Sequence, residues 1–184
     1  VSSAPKRKQK RRMLIVENDR LVCARYRDLF ADDFLVECAR DGATALIRLR
    51  HYGSAISVVL LSLSIPDTDG FLVLEAMQKG AQTQYVPVIA ISEDPSREKG
   101  LKAIRAGATD YVTKPVDEGL LRIRVQSAVS KAENERLRVQ NSFLSLQGDE
   151  VKRYKMVLER SGTVVVEYDW PKGVFKYDPV MSKH

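Results

Sequence analysis

Five short, unbroken apolar runs, each separated from the next by an amphipathic stretch, constrain this chain more than any other feature. The runs are Met13-Leu14-Ile15-Val16, Phe34-Leu35-Val36, Val58-Val59-Leu60-Leu61, Val86 to Ile91 and Tyr111-Val112. Rich in β-branched side chains and without polar alternation, they read as strands covered on both faces. Between them, apolar residues recur at helical spacing: Leu21, Val22, Tyr26, Leu29 and Phe30; Ala43, Leu46, Ile47 and Leu49; Phe71, Leu72, Leu74 and Met77; Leu101 and Ile104. Gly42, Gly70 and Gly107 fall at element edges, and Asp69 stands where the third helix needs an N-cap. Strict alternation of strand and helix implies a parallel sheet with right-handed crossovers and helices on both faces. Functional groups in such sheets gather at the carboxyl ends of the strands, where strand order reverses.

Charge is informative only once it is located. The net charge is +6, yet the first twelve residues hold Lys6, Arg7, Lys8, Lys10, Arg11 and Arg12 and no acid. Without those six, bases and acids balance at 24 each. Composition therefore implies no basic face on the folded part. Residues 1–12 read as a basic flexible tail, and nucleic acid is not an expected partner. No run approaches the roughly 18–20 apolar residues of a membrane span, so no membrane partner is expected either. Two cysteines, Cys23 and Cys38, make no disulfide framework, which points to a reducing cytoplasm.

After Pro115 the pattern changes. Leu120 to Gln147 contains neither proline nor glycine and reads as one long helix. Val129, Ala132, Val139, Phe143 and Leu146 form an a/d-like stripe interrupted by Arg136, which predicts a homodimeric coiled coil. Gly148-Asp149 is expected to end this helix and to cap another, Glu150 to Arg160. Thr163 to Trp170, the turn Pro171-Lys172-Gly173, and Val174 to Tyr177 predict a hairpin.

Four motifs fall in order along the first part of the chain: LIVEND at 14–19, LLSLSIPDTDG at 60–70, PVIAIS at 87–92 and GATDYVTKP at 107–115. Together they resemble the receiver domain of two-component response regulators, over Met13 to about Val129. The resemblance implies an α/β, doubly wound, flavodoxin-like sheet of five parallel strands in the order 2-1-3-4-5. The receiver-like domain would span 13–119 and the signalling helix 120–147. Residues 148–184 resemble the incomplete start of a PAS domain. In the receiver family, two acidic residues after the first strand hold Mg²⁺ together with an acceptor aspartate. That aspartate takes a phosphoryl group from a histidine kinase, and a hydroxyl and a lysine bind the phosphoryl oxygens. The resemblance places Glu17 and Asn18 at the acidic pair, Ser92 at the hydroxyl, Lys114 at the lysine and Tyr111 at the aromatic that turns inward on activation. Pro115 follows the lysine, through a bond commonly cis in the family.

The departure is at the acceptor. Four residues before Pro66, where the family carries aspartate, this chain carries Ser62. A serine hydroxyl needs a base to become a nucleophile. The two histidines, His51 and His184, are placed by the pattern at the far end of the second helix and at the chain end. The usual pocket sets three carboxylates against one lysine, whereas here Glu17 faces Lys114 with neutral Asn18 and Ser62 beside them. Asp19 suits an N-cap better than a ligand. Mg²⁺ is therefore expected to bind weakly, with Glu17 and Asp19 the only weak metal candidates, and no cofactor is expected. A Lys114–Glu17 ion pair is expected instead, with Ser62 hydrogen-bonding to either. Asp67 and Asp69, past Pro66, do not suit a substitute acceptor.

The function that follows is a non-enzymatic regulatory module. It would work by contacts with proteins, a sensor kinase or a downstream output domain, through the fourth helix, fifth strand and fifth helix. The long helix would relay its state onward. The alternative is a functional phosphorelay receiver phosphorylated at an unconventional site.

Overall fold

A computed structural model describes residues 10–161, 166–169 and 174–177, with side chains through residue 142. The elements are β1 (Arg11–Val16), α1 (Arg20–Phe30), β2 (Phe34–Ala39), α2 (Gly42–Tyr52), a 3₁₀ turn (Gly53–Ala55), β3 (Ile56–Ser62), α3 (Gly70–Lys79), β4 (Val88–Ser92), α4 (Arg97–Arg105), β5 (Asp110–Thr113), α5 (Glu118–Ser161), β6 (Val166–Asp169) and β7 (Val174–Tyr177). The first five strands form one sheet in the order β2-β1-β3-β4-β5, every pair parallel. This is the doubly wound arrangement that the apolar runs predict. Strand order reverses at β1, which opens a crevice at the carboxyl ends of β1 and β3.

Each face of the sheet carries its own core. On one face Leu14, Val16, Val59 and Leu61 pack with Ala45 and Leu49 of α2, Phe71 and Leu74 of α3, and Ala103 of α4. On the other, Met13, Ile15, Leu60 and Ile89 pack with Tyr26 and Phe30 of α1 and with Leu121 and Val125 of α5. Successive strand residues point to opposite faces, which is why the runs show no polar alternation. Each fully buried side chain of this size contributes roughly 1.5–3 kcal/mol.

Four expectations are corrected. The basic tail ends sooner, because Arg11 and Arg12 belong to β1. Arg12 is held there by Glu37 of β2 at 2.7 Å and by the Tyr52 ring, 4.0 Å from its guanidinium. Residues 1–9 lie outside the described residues. Leu101 and Ile104 are each 46% exposed, so α4 buries only Ala103. Leu21 at the start of α1 is also exposed, and the buried stripe is Cys23, Tyr26 and Phe30. Gly148-Asp149 does not end the long helix, which continues to Ser161; one glycine in a helix costs only about 1 kcal/mol relative to alanine.

The contacts divide the chain into two units, Val1–Asn134 and Glu135–His184. In the second, β6 and β7 pair antiparallel, with Val166 opposite Tyr177 and Asp169 opposite Val174. The hairpin expected there is present; its turn residues, 171–173, lie outside the described residues. Among the described residues no helix is long and apolar enough to cross a membrane.

Candidate functional site

The crevice is built by residues at the carboxyl ends of four strands. Glu17 follows β1, and its backbone N–H extends the ladder to the Ala39 carbonyl at 3.0 Å. That fixes the side chain inward, where it is 2% exposed. Its Oε1 accepts from the Asp19 N–H at 3.1 Å. Its Oε2 lies 3.1 Å from Lys114 Nζ. The approach is close enough for an ion pair but off the line of a hydrogen bond, so Oε2 is buried without a hydrogen-bond partner. Lys114 follows β5, with its N–H donating to the Ser92 carbonyl at 2.8 Å and a cis bond to Pro115. A second carboxylate, Glu93 Oε1, stands 3.7 Å from the ammonium on the solvent side.

Ser62 ends β3, opposite Ile91 of β4 and 2% exposed. The hydrogen bond expected from its hydroxyl to Glu17 or Lys114 is not among those of the described residues. Glu17 Oε2 has no such partner, and the ammonium is drawn instead to two carboxylates. Behind Ser62, Gly70 begins α3. A Cβ there would stand 2.7 Å from the Leu63 Cα and 3.0 Å from the Ser62 carbonyl. Only glycine lets α3 close down on the end of β3.

The other acidic groups of this end are engaged in holding backbone. Asn18 and Asp19 are exposed. Asp19 Oδ1 caps α1, accepting from Leu21 N at 2.8 Å and Val22 N at 3.2 Å. Asp67 accepts from Gly42 N at 2.9 Å and Ala43 N at 3.2 Å at the start of α2. Those N–H groups, Gly42 first, hold its carboxyl below the usual carboxylate range. Asp69 caps α3 through Phe71 N at 3.0 Å. His51, in the last turn of α2, stacks edge-on against Tyr52 at the opposite end of the sheet. His184 lies outside the described residues.

On the β4–β5 side, Ser92 is 1% exposed and its Oγ accepts from Asp94 N at 3.1 Å. Asp94 in turn accepts from Ser96 N at 2.8 Å, and that N–H depresses its carboxyl below the usual range. Tyr111 is half-buried, its hydroxyl donating to the Asp94 carbonyl. Its ring lies against Gly100 of α4, with Cδ1 3.1 Å from where a Cβ on that glycine would sit.

Glu17, Ser62, Ser92 and Lys114 thus converge, while Asn18, Asp19, Asp67 and Asp69 do not join them. Glu93 is the residue that the sequence reading missed. The available signal was an acid directly after Ser92, at the same end of the sheet as Lys114. Among the described residues no group of three His, Cys, Asp or Glu side chains is placed to hold a metal ion.

The family model for the response regulator receiver domain matches residues 13–126. The chain belongs to the response regulator receiver domain family. Response regulator PleD of Caulobacter vibrioides is 32% identical over 120 residues, which is 63% of this chain and 25% of PleD. Regulatory protein AtoC of Escherichia coli is 35% identical over 121 residues, 64% of this chain and 25% of AtoC. The chain spans about a quarter of the length of these curated relatives. Among solved structures, a CheY-like receiver domain protein from Methanospirillum hungatei superposes with a TM-score of 0.64 at 23% identity, covering 69% of this chain and 99% of its own. The Francisella response regulator 1452 receiver domain superposes at 0.61 and 25% identity, covering 66% and 98%. This receiver domain is therefore a signal-transduction regulator by family, and the superpositions show its fold.

Proposed function

We propose that this receiver domain regulates by protein contacts without a phospho-acceptor, and that α5 relays its state to an output domain. The observation that supports this most is the pairing of Lys114 with Glu17 beside a neutral Ser62. The cation that would meet a phosphoryl group is already matched by the one buried carboxylate of the pocket. A hard divalent cation needs several oxygen donors with net negative charge. Glu17 alone, balanced by Lys114, does not fit that requirement, and Asp19 is committed to α1. Mg²⁺ binding is accordingly weak in this reading. Among the described residues no hydrogen bond joins the Ser62 hydroxyl to a base, and the Glu17 carboxylate is paired with Lys114 instead, so nothing activates the hydroxyl in this reading.

Partners then act by binding one arrangement of the domain better than another. The face formed by α4, β5 and α5, with Leu101, Ile104, Leu120 and Ile123 exposed on it, is the contact surface. Homodimerisation through the stripe on α5, a PAS-like reading of 148–184 and a cytoplasmic setting complete the proposal. The quarter-length match to relatives such as PleD and AtoC leaves room for an output domain in the same protein.

The test is incubation with acetyl phosphate and Mg²⁺, read by intact mass, beside a Ser62→Asp variant. The expected result is no adduct on the unaltered chain and a hydroxylamine-labile adduct on Ser62→Asp. A phospho-adduct on the unaltered chain overturns the proposal in favour of a phosphorelay receiver with an unconventional acceptor.

A further inference from the structure

Along the receiver, α5 has two faces that differ in more than burial. Leu121, Val125, Ala128 and Val129 pack into the core beneath the sheet. Val129 is 1% exposed, so the stripe expected from the sequence is closed to a second chain at its first position. On the opposite face Leu120, Ile123, Ser127, Ser130, Asn134 and Leu137 are all exposed. Their spacing alternates three and four residues without a slip, and exposed Asn141 continues it. In a heptad, Leu120, Ser127, Asn134 and Asn141 are a positions, while Ile123, Ser130 and Leu137 are d positions. The d spacing runs on in the sequence through Leu144, Val151 and Leu158, within the same helix.

This exposed face carries no charge, although Arg122, Arg124, Lys131, Glu133, Arg136 and Arg138 stand beside it. Large apolar side chains with charge kept to the rim are the pattern of a protein interface. We propose that two copies of this chain pair through this face, their α5 helices parallel and in register. The proposal rests on the dimeric reading above and assigns it a seam and an orientation.

The residues that flank the seam choose the orientation. Its e positions are Arg124, Lys131 and Arg138, all basic, and its g positions are Gln126, Glu133 and Gln140. An antiparallel pair sets one e edge against the other, base against base. A parallel pair sets each g residue against the e residue five positions on in the other helix. Glu133 then meets the partner's Arg138, and Gln126 meets the partner's Lys131. Glu133 already holds Arg11 through Oε2 at 2.8 Å, which leaves Oε1 for the second cation. Arg124 is held aside by Asp110 at 2.6 Å. Asparagine at an a position lowers affinity but fixes register and strand number, so Asn134 and Asn141 each face their own copy in a two-stranded pair. A partner that covers Leu120 and Ile123 on the contact surface would have to displace the first heptad of this seam.

Light scattering of the full chain across a concentration series tests the seam, beside variants at exposed positions that leave the receiver core untouched. Ile123→Glu and Leu137→Glu should each raise the dimer dissociation constant at least about tenfold. Val139→Glu, on the stripe but off the seam, should stay within about twofold of the parent. Mild oxidation of Leu137→Cys should give a covalent dimer whose linked peptide joins position 137 to itself, whereas Val139→Cys should give none. A parent that stays monomeric overturns the dimeric reading and the seam with it. A dimer that tolerates Ile123→Glu and Leu137→Glu but is lost in Val139→Glu overturns the seam alone. A Leu137→Cys dimer that does not link to itself overturns the parallel, in-register arrangement.

Discussion

The β4–β5 side of the crevice and its β1–β3 side differ in what their side chains are doing. On the β4–β5 side, Ser92, Tyr111 and Lys114, which the sequence resemblance assigns to the hydroxyl, aromatic and lysine positions, each point into or beside the crevice. On the β1–β3 side, Ser62 is neutral, Asn18 faces solvent, and Asp19 holds the first turn of α1. Of the charged side chains named on that side only Glu17 faces inward, and its charge is answered from across the sheet. The same backbone frame therefore supports both sides, because the frame depends on strand ladders and helix caps rather than on the chemistry of the pocket. On the proposed reading, this receiver keeps its shape without the family's reaction.

The Glu17–Lys114 contact is the only one of these that joins the two sides, and removing it gives the largest effect. Lys114→Met leaves a buried carboxylate uncompensated and is expected to cost about 3 kcal/mol in urea unfolding. The double variant Glu17→Gln/Lys114→Met should return to within about 1 kcal/mol of the parent. A single-variant loss no greater than the double-variant loss would show that the sides are held independently. Gly70→Ala should cost about 2 kcal/mol, since its methyl meets backbone that cannot move aside. Asp19→Ala should cost about 1 kcal/mol through the lost cap; no change there would return Asp19 to the list of pocket ligands.

The smallest effect is on acid stability. Asp67 on one side and Asp94 on the other both have carboxyls held below their ordinary value by backbone N–H groups. A depressed carboxyl contributes stability that is complete above its unfolded-state pKa and is lost as pH falls through its folded-state pKa. Asp67→Asn and Asp94→Asn should each make the stability curve shallower below about pH 4. Curves parallel to the parent would mean that neither loop is held this way.

Much of this was legible in the sequence, for a physical reason. Strands buried on both faces have no choice but continuous apolarity, so Val58 to Leu61 and its counterparts declared the sheet directly. Caps were legible because Asp19 and Asp69 precede helical spacing with the right side-chain length. The Lys114–Glu17 pair followed from counting charges at one end of the sheet. What escaped detection depends on energies that are small or on geometry that is not local. Gly148 reads as a stop, but its cost is too low to break a long helix. Leu101 and Ile104 have helical spacing, yet which face of α4 meets the sheet is set by Ala103 and by the angle of approach. The hydroxyl of Ser62 was free to choose partners, and spacing cannot say which.

Gly100 leaves just enough room for the Tyr111 ring, whose oxygen is anchored to the loop before α4. A lone methyl group at that position would act as a wedge, levering the aromatic outward by a few tenths of an ångström while touching nothing in the crevice. The domain thus carries an adjusting screw beside the crevice, one that bears on the Asp94 backbone rather than on the Glu17–Lys114 pair.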